Sequence, residues 1–453
     1  MFKPMTIPQR LTLSFVLVIL IGSLLLSLNI MHQPGVTTSY IDHLFTTVSM
    51  VCVTGLTTIV VANTYNMLGQ MICILLMQIG GLGLITVLAA LTFNMKNKLS
   101  LKDQLTLQAS FTHEGNHDFK ALLRSIYRFT ALVEGTAALI LSFKFVPEFG
   151  WIKGIFNAIF ISVSAFCNAG FDNLGATSLQ LRANDWVLNL VIAFLIIAGG
   201  MGFIVWFDLV KIIKGLDFKS PIKSKYYWNK LSTHTQLVLV TTGIILGIGT
   251  LATWATEWHN PMTLAKYNLL DQGLISFFQT VTMRTAGFAS LDYSVTRPVT
   301  NLLYMIQMVI GGAPGGTAGG IKITTAAVLF LLLKAELVGT DNINFKKRAL
   351  NIRVIRQTIV VIIFFFAMYL VGFGFLLATQ PQVEAFPLMF EVTSALATVG
   401  VTMNVTGQLD TVGKIVIMFL MFLGRVGPST VLLSVVTQRK KEIQYPKADI
   451  FLG

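Results

Sequence analysis

Four short peptides hold the groups with which this sequence can do chemistry: Val53-Thr54-Gly55-Leu56, Asn168-Ala169-Gly170-Phe171, Thr285-Ala286-Gly287-Phe288 and Thr398-Val399-Gly400-Val401. Their glycines stand 115, 117 and 113 residues apart. A phenylalanine precedes each glycine by ten residues (Phe45, Phe160, Phe277, Phe390), and a serine precedes three of them by six (Ser49, Ser164, Ser394). The side chains are uncharged, so what the peptides offer is main-chain carbonyls with a few hydroxyls. Carbonyls aimed at one point replace the water shell of a bare cation. Glycine allows the dihedrals and the close backbone approach that such a site needs. The expected ion ligands are Val53, Thr54, Gly55, Asn168, Ala169, Gly170, Thr285, Ala286, Gly287, Thr398, Val399 and Gly400. The carbonyls of Gly55, Gly170, Gly287 and Gly400 lead this set, and Thr54, Asn168, Thr285 and Thr398 serve as wall supports or partial ligands.

Each peptide closes an apolar run too short to cross a bilayer, at residues 39–52, 151–167, 271–284 and 384–397. A crossing helix needs about 20 apolar residues, so these runs read as re-entrant pore helices. A long apolar run precedes each one (11–30, 126–143, 237–256, 358–377), and a second follows (67–93, 186–213, 301–337, 411–436). The expected fold is an all-α polytopic membrane protein of four tandem M1–P–M2 units, with eight transmembrane helices and four pore helices in pseudo-fourfold array around one pore. The unit boundaries fall at 1–97, 98–232, 233–344 and 345–453. Repetition at fixed spacing is the strongest organisational signal in the chain. A half-helix that stops at mid-membrane turns its C-terminal carbonyls, and about half a negative charge, toward the centre.

A second glycine motif recurs 24 to 29 residues after each first one: Gly80-Gly81-Leu82-Gly83, Gly199-Gly200-Met201-Gly202, Gly311-Gly312 and Gly424-Arg425-Val426-Gly427. These glycines let helices pack closely or leave room around the pore. The third copy runs on as Gly311-Gly312-Ala313-Pro314-Gly315-Gly316-Thr317-Ala318-Gly319-Gly320. Each glycine costs a helix roughly 1 kcal/mol and a proline about 3, so this run reads either as broken backbone beside a path or as a loop between two helices. Arg425 aligns with Gly81, Gly200 and Gly312. An arginine at that depth is expected to face the cavity and hydrogen-bond to the loop as a barrier to cations; snorkelling or a structural tie is the alternative. Lys322 either anchors the loop or snorkels. Residues 311–320, Lys322 and Arg425 are the expected gate. Arg284 is expected to tie the third carbonyl peptide to an acid.

The remaining composition narrows the class. Of 453 residues, 54% are hydrophobic and 12% charged, which excludes an ordinary soluble domain. The net charge of +13 does not signal nucleic acid, because the bases gather between apolar runs. Segments at 3–10, 96–128, 211–230, 334–356 and 439–447 hold 24 of the 33 basic residues, and all fall on one side of the expected topology. The positive-inside tendency makes that side, with both termini, cytoplasmic. Asp42, Glu148, Asp172, Asp185, Glu257, Asp271, Asp292, Glu384 and Asp410 fall on the other side, as an acidic mouth that concentrates cations. Glu134 and Asp208 sit within apolar helices, with partners the sequence does not name. Cys52, Cys73 and Cys167 lack metal spacing. The six histidines are scattered, His113 and His117 lack further ligands nearby, and no catalytic constellation marks an enzyme.

Taken together, the four peptides, with Phe166-Cys167 and Arg284 flanking them, the run 311–320 and Gly424-Arg425-Val426-Gly427-Pro428 resemble the membrane subunit of bacterial Ktr-type potassium uptake systems, in the Trk/Ktr/HKT superfamily. The resemblance covers essentially the whole chain. It implies potassium uptake (K+) across the cell membrane through a carbonyl filter, and homodimers embedded in the lipid bilayer. It implies a cytoplasmic octameric regulatory ring of the RCK/KTN type, binding ATP or ADP, with sodium (Na+) as an activator. No nucleotide motif lies in this chain, so nucleotides would act on that partner. Relatives with serine at the first filter position favour sodium; here it is Gly55. The resemblance makes residues 311–320 an intramembrane gate beside Arg425, and gives the tail at 445–453 a role in dimer contacts. The alternative is a cation-coupled symporter, K+/Na+ or K+/H+, working by alternating access. Paired inverted repeats would favour it, whereas the basic segments here flank all four units in one orientation.

Overall fold

The structure is a computed structural model that describes residues 7–83, 119–214, 224–340, 342–346 and 348–427. In chain order its helices are α1 (Ile7–Leu26), α2 (Tyr40–Val51), α3 (Val61–Thr64), α4 (Met67–Leu82), α5 (Phe119–Phe149), α6 (Trp151–Phe166), α7 (Trp186–Gly200) and α8 (Phe203–Lys214). There follow α9 (Ser224–Lys230), α10 (Thr233–Glu257), α11 (Leu269–Thr282), α12 (Pro298–Val309), α13 (Ile323–Val338), α14 (Ile352–Thr379), α15 (Ala385–Ala397) and α16 (Thr411–Val426). A small hairpin pairs β1 (Asn344–Phe345) with β2 (Arg348–Ala349). The tail at 445–453, Pro428, His113 and His117 lie outside the described residues, as do parts of the basic segments.

Hydropathy sorts these helices into two kinds. Leu123–Phe149, Thr233–Glu257 and Ile352–Thr379 are each long and apolar enough to cross a membrane. At about 1.5 Å per residue each exceeds the ~30 Å hydrocarbon core. Large apolar side chains stay exposed along them, such as Phe143, Ile248, Ile363 and Leu370, with Leu20, Ile21 and Leu24 on α1. In water so wide an apolar face would be costly; against lipid it is the expected surface. The half-length helices α2, α6, α11 and α15 are the reverse. Most of their residues toward the C-terminal end, with Phe45, Phe160, Phe278 and Phe390, are buried. Each packs between two neighbours, α2 against α1 and α4, α6 against α5 and α7, α11 against α10 and α7, and α15 against α14 and α16. The protein is thus a helical membrane protein with short helices at its centre.

The second apolar runs differ from expectation. The run 186–213 is not one straight helix: α7 and α8 meet at 101°. Gly202 makes the turn at φ +83°, a conformation costly to other residues. The helical stretches α4 and α16 likewise end before Gly83 and Gly427, at φ +83° and +85°. A helix end is expected within the glycine motif only in the third copy, yet among the described residues a helix also ends within each of the other three. Their starts are regular: Asn66, Asp185 and Asp410 accept from Gly69, Leu188 and Gly413 N–H as N-caps of α4, α7 and α16.

The acids expected to charge a mouth are largely committed elsewhere. Asp42 pairs with Lys414 at 2.7 Å, Asp185 with Lys144 at 2.8 Å, and Glu148 with Arg182. Glu257 is not at a mouth at all but fully buried. Its carboxylate accepts from Asn260 Nδ2 (2.6 Å), Thr263 Oγ1 (2.6 Å), Arg297 N (2.8 Å) and Thr300 Oγ1 (2.5 Å), fastening the end of α10 to the start of α12. Asp208 accepts from Ser232 N at 2.9 Å, which joins α8 to the start of α10. Glu257→Ala leaves four donors without their acceptor, and each buried group left unpaired costs about 1–3 kcal/mol. The thermal midpoint of the purified protein in detergent should fall by about 5 °C or more, and less in Glu257→Gln, which keeps an acceptor.

Candidate functional site

At the end of each short helix the chain leaves helical geometry in the same way. Val53, Asn168, Thr285 and Thr398, two residues before the glycines, are left-handed at φ +55°, +58°, +64° and +55°. Gly55, Gly170, Gly287 and Gly400 follow at φ +105°, +72°, +89° and +97°. A left-handed β-branched residue is rare and costs about 1–3 kcal/mol, so surrounding contacts must hold it. Hydrogen bonds do so here. Thr54, Ala169 and Val399 N–H donate back to Ser49, Ser164 and Ser394 O, each at 2.8 Å. The same serine hydroxyls accept from Gly55 N (3.0 Å), Phe171 N (2.9 Å) and Gly400 N (3.0 Å). The serines noted in the sequence had no assigned role there; they are the clamps of three peptides. The third uses another device, Thr282 Oγ1 donating to Phe288 O at 2.8 Å.

The four peptides meet. A Cβ on Gly55 would lie 3.0 Å from Ala169 O, on Gly170 2.6 Å from Ala286 O, on Gly287 2.6 Å from Val399 O, and on Gly400 2.0 Å from Thr54 O. Each glycine thus faces the carbonyl just before the next glycine, and the series closes on itself. The chain brings these residues together from separations above a hundred positions. The hydroxyls of Thr54, Thr285 and Thr398 are buried and have no hydrogen-bond partner among the described residues. Asn168 differs: with its amide turned so that nitrogen donates, it reaches Ile196 O at 3.3 Å and Ala165 O at 3.2 Å, and Thr317 Oγ1 lies 3.3 Å from the same side chain.

The second glycine motifs sit directly behind the helix ends. A Cβ on Gly80, Gly199 or Gly424 would fall 2.4, 1.9 or 2.1 Å from Val51 O, Phe166 O or Leu396 O. These are the last carbonyls of α2 and α6, and the second-last of α15. In the third copy the run 311–320 takes that place, because a Cβ on Gly311 would meet Gly319 O at 2.1 Å. The run folds between α12 and α13 and crosses to the α7–α8 turn. Ala313 and Thr317 N–H donate to Gly200 O (2.8 Å) and Gly199 O (3.1 Å), and Phe203 N–H donates to Gly315 O (3.2 Å). Thr317 Oγ1 donates to Phe166 O at 3.0 Å. Gly319 lies beneath Thr398, whose Oγ1 a Cβ there would meet at 2.0 Å.

Arg425 lies against the run, with its guanidinium donating to Thr317 O, to Gly80 O and, at 3.2 Å, to Gly81 O. Lys322 Nζ donates to Ala318 O at 2.7 Å, so its side chain turns back onto the run. Arg284 is buried but forms none of the ion pairs among the described residues, so the expected tie to an acid is absent there. Glu134 has a partner the sequence did not name: Gln78 Nε2 donates to it at 3.4 Å.

With this geometry in hand, comparison with known proteins places the chain among transporters. The family model described as "TrkH: Cation transport protein" matches residues 6–444. The Ktr system potassium uptake protein B of Bacillus subtilis (strain 168) is 36% identical, over 99% of this chain and 97% of the relative. The potassium/sodium uptake protein NtpJ of Enterococcus hirae is 35% identical over 98% and 97%. The crystal structure of the potassium transporter TrkH from Vibrio parahaemolyticus shares the fold, with a TM-score of 0.68 and 20% identity, over 93% of this chain and 84% of that one.

The crowding around the glycines is graded, and the damage from substitution should follow it. Gly400→Ala, whose Cβ would stand 2.0 Å from a carbonyl oxygen, should lower cation flux through the reconstituted protein by ~100-fold or more. Gly55→Ala, at 3.0 Å, should cost only ~10-fold. Equal losses at the two positions would show that the ring of contacts does not set the tolerance.

Proposed function

Because this chain belongs to the TrkH family of cation transport proteins, we propose that it takes up potassium ions through the ring of peptides around Gly55, Gly170, Gly287 and Gly400. The observation that carries the reading is the closed series in which each of these glycines abuts the carbonyl preceding the next one. A cation on the axis of such a series exchanges water for carbonyl oxygens, with four helix C-termini behind it. The ligands are the carbonyls of the four peptides, together with the buried hydroxyls of Thr54, Thr285 and Thr398. Four M1–P–M2 units, bounded at 1–97, 98–232, 233–344 and 345–453, make a pseudo-fourfold pore, and the basic segments and both termini face the cytoplasm. Potassium is the ion named for both curated relatives, one with sodium beside it.

Residues 311–320 form the gate in this reading. The run bonds to the α7–α8 turn and lies under Thr398, so while docked it covers the inner side of the peptides. Arg425 holds it to Gly80 and Gly81 from the opposite side and places a positive charge on the path. Lys322 anchors its end. The chain works as a homodimer with a cytoplasmic nucleotide-binding ring that responds to ATP and ADP, and sodium activates it. A relative named as component B of a Ktr system supports the partner.

Expression in a cell deficient in potassium uptake tests the reading. Rubidium and potassium uptake should appear with the full chain and rise with sodium and the regulatory ring. Removing part of residues 311–320, or making Arg425→Ala, should raise flux in the absence of the ring by ~10-fold or more, since each loses several hydrogen bonds that hold the gate shut. Flux that does not change in either variant would refute the gate.

A further inference from the structure

We propose that the Thr317 hydroxyl and a cation in the cavity compete for one oxygen, Phe166 O, so that ion occupancy itself helps to release the loop. The inference rests on the transport reading above and adds a link between gate and filter. Phe166 is the last residue of α6, two positions before the left-handed Asn168. Its carbonyl is one of the helix-end oxygens that carry the partial negative charge of the short helices, and in this proposal a cation below the filter draws on it as well. With the run 311–320 docked, this oxygen accepts from Thr317 Oγ1 at 3.0 Å, in a buried contact between residues 151 positions apart. The comparable oxygens, Val51 O and Leu396 O, accept no side-chain hydrogen bond among the described residues.

Thr317 is tied through both its backbone and its side chain. Its N–H donates to Gly199 O at 3.1 Å and its carbonyl accepts from Arg425, so backbone and side chain are tied to three different helices. Gly199 has no room for a side chain because Phe166 O and Thr317 Oγ1 both crowd it, at 1.9 and 2.6 Å from a Cβ there. Docked, the hydroxyl lies 3.0 Å from Phe166 O and 3.3 Å from the side-chain amide of Asn168, and Phe166 O is the nearer partner. Docked, it satisfies the carbonyl and weakens the field that the carbonyl offers an ion. Undocked, it leaves that oxygen to the cavity. Two ligands that exclude each other from one site are linked reciprocally: the loop lowers cation affinity, and the cation favours the released loop.

Thr317→Val keeps the shape and removes the donor. In cells deficient in potassium uptake, with protein quantified in the membrane, the apparent KM for rubidium should fall roughly fivefold in Thr317→Val, the factor that one net hydrogen bond is worth. Thr317→Ala, read in parallel, should fall likewise, so the result does not depend on how one variant folds. Thr317→Ser retains the hydroxyl and should rescue the wild-type KM. A rise in maximal rate with KM unchanged in Val and Ala would reduce Thr317 to a latch and overturn the competition, as would a Ser variant that behaves like Val. No rubidium uptake by the wild-type chain would overturn the transport reading instead.

Discussion

A carbonyl oxygen set against the α-carbon of a glycine from another part of the chain, four times in a closed series, is the contact that the rest of the structure serves. It demands glycine, because a Cβ would come within 2.0 to 3.0 Å of that oxygen. It demands helices that stop short, because only an extended segment turns successive carbonyls inward. It also demands that the strained residue before each turn be held, which the serine clamps and Thr282 do. The clamp is local, from helix to its own following peptide. The series itself is not local, and the long helices must bring the peptides together.

Backbone freed at membrane depth must find partners in protein or water. The run 311–320 shows how. Gly311 N–H donates to Ile321 O at 2.8 Å and Ile323 N–H to Gly312 O at 2.9 Å, so the two ends of the run stitch to each other. The middle bonds to carbonyls that the α7–α8 turn sets free, Gly199 O and Gly200 O. Two breaks in two helices thus satisfy one another. A bend at Gly202 and a glycine run a hundred residues later form one structural feature, and Gly202 is crowded by Pro314 O, 2.7 Å from where its Cβ would be.

That pairing explains what the sequence made legible and what it hid. The short helices were readable because length against bilayer thickness is a one-dimensional quantity: the expected 39–52, 151–167 and 384–397 lie close to Tyr40–Val51, Trp151–Phe166 and Ala385–Ala397. The four glycines were readable because repetition marks equivalent positions. The turn at Gly202 was hidden, since apolar composition continues through it and hydropathy carries no angle. Glu257 was misplaced because an acid between an apolar run and a loop looks solvated until its four donors are seen. The serines stood out by spacing, but a hydroxyl's acceptor role depends on the φ of residues beyond it. Thr317 was named only as one of ten loop residues. Its bond to Phe166 crosses between repeats, and no local pattern announces such a contact.

Arg425 shows how the kind of partner fixes what a buried charge can do. An arginine at membrane depth costs at least roughly 2.5 kcal/mol, and a carboxylate beside it would offset that cost by cancelling its field. Carbonyls satisfy its donors without cancelling it. Among the described residues Arg425 meets only carbonyls, those of Thr317, Gly80 and Gly81, and takes part in no ion pair. Its charge therefore persists in a medium of low dielectric, where it repels a cation more strongly than it would in water. Two of its acceptors belong to the second glycine motif of the first repeat and the third to the run 311–320. The guanidinium's hydrogen bonds near the proposed path go to that run and to the first motif. In the proposed gate, releasing the run would remove one of these holds, so a single motion would relieve the steric and electrostatic parts of the barrier together.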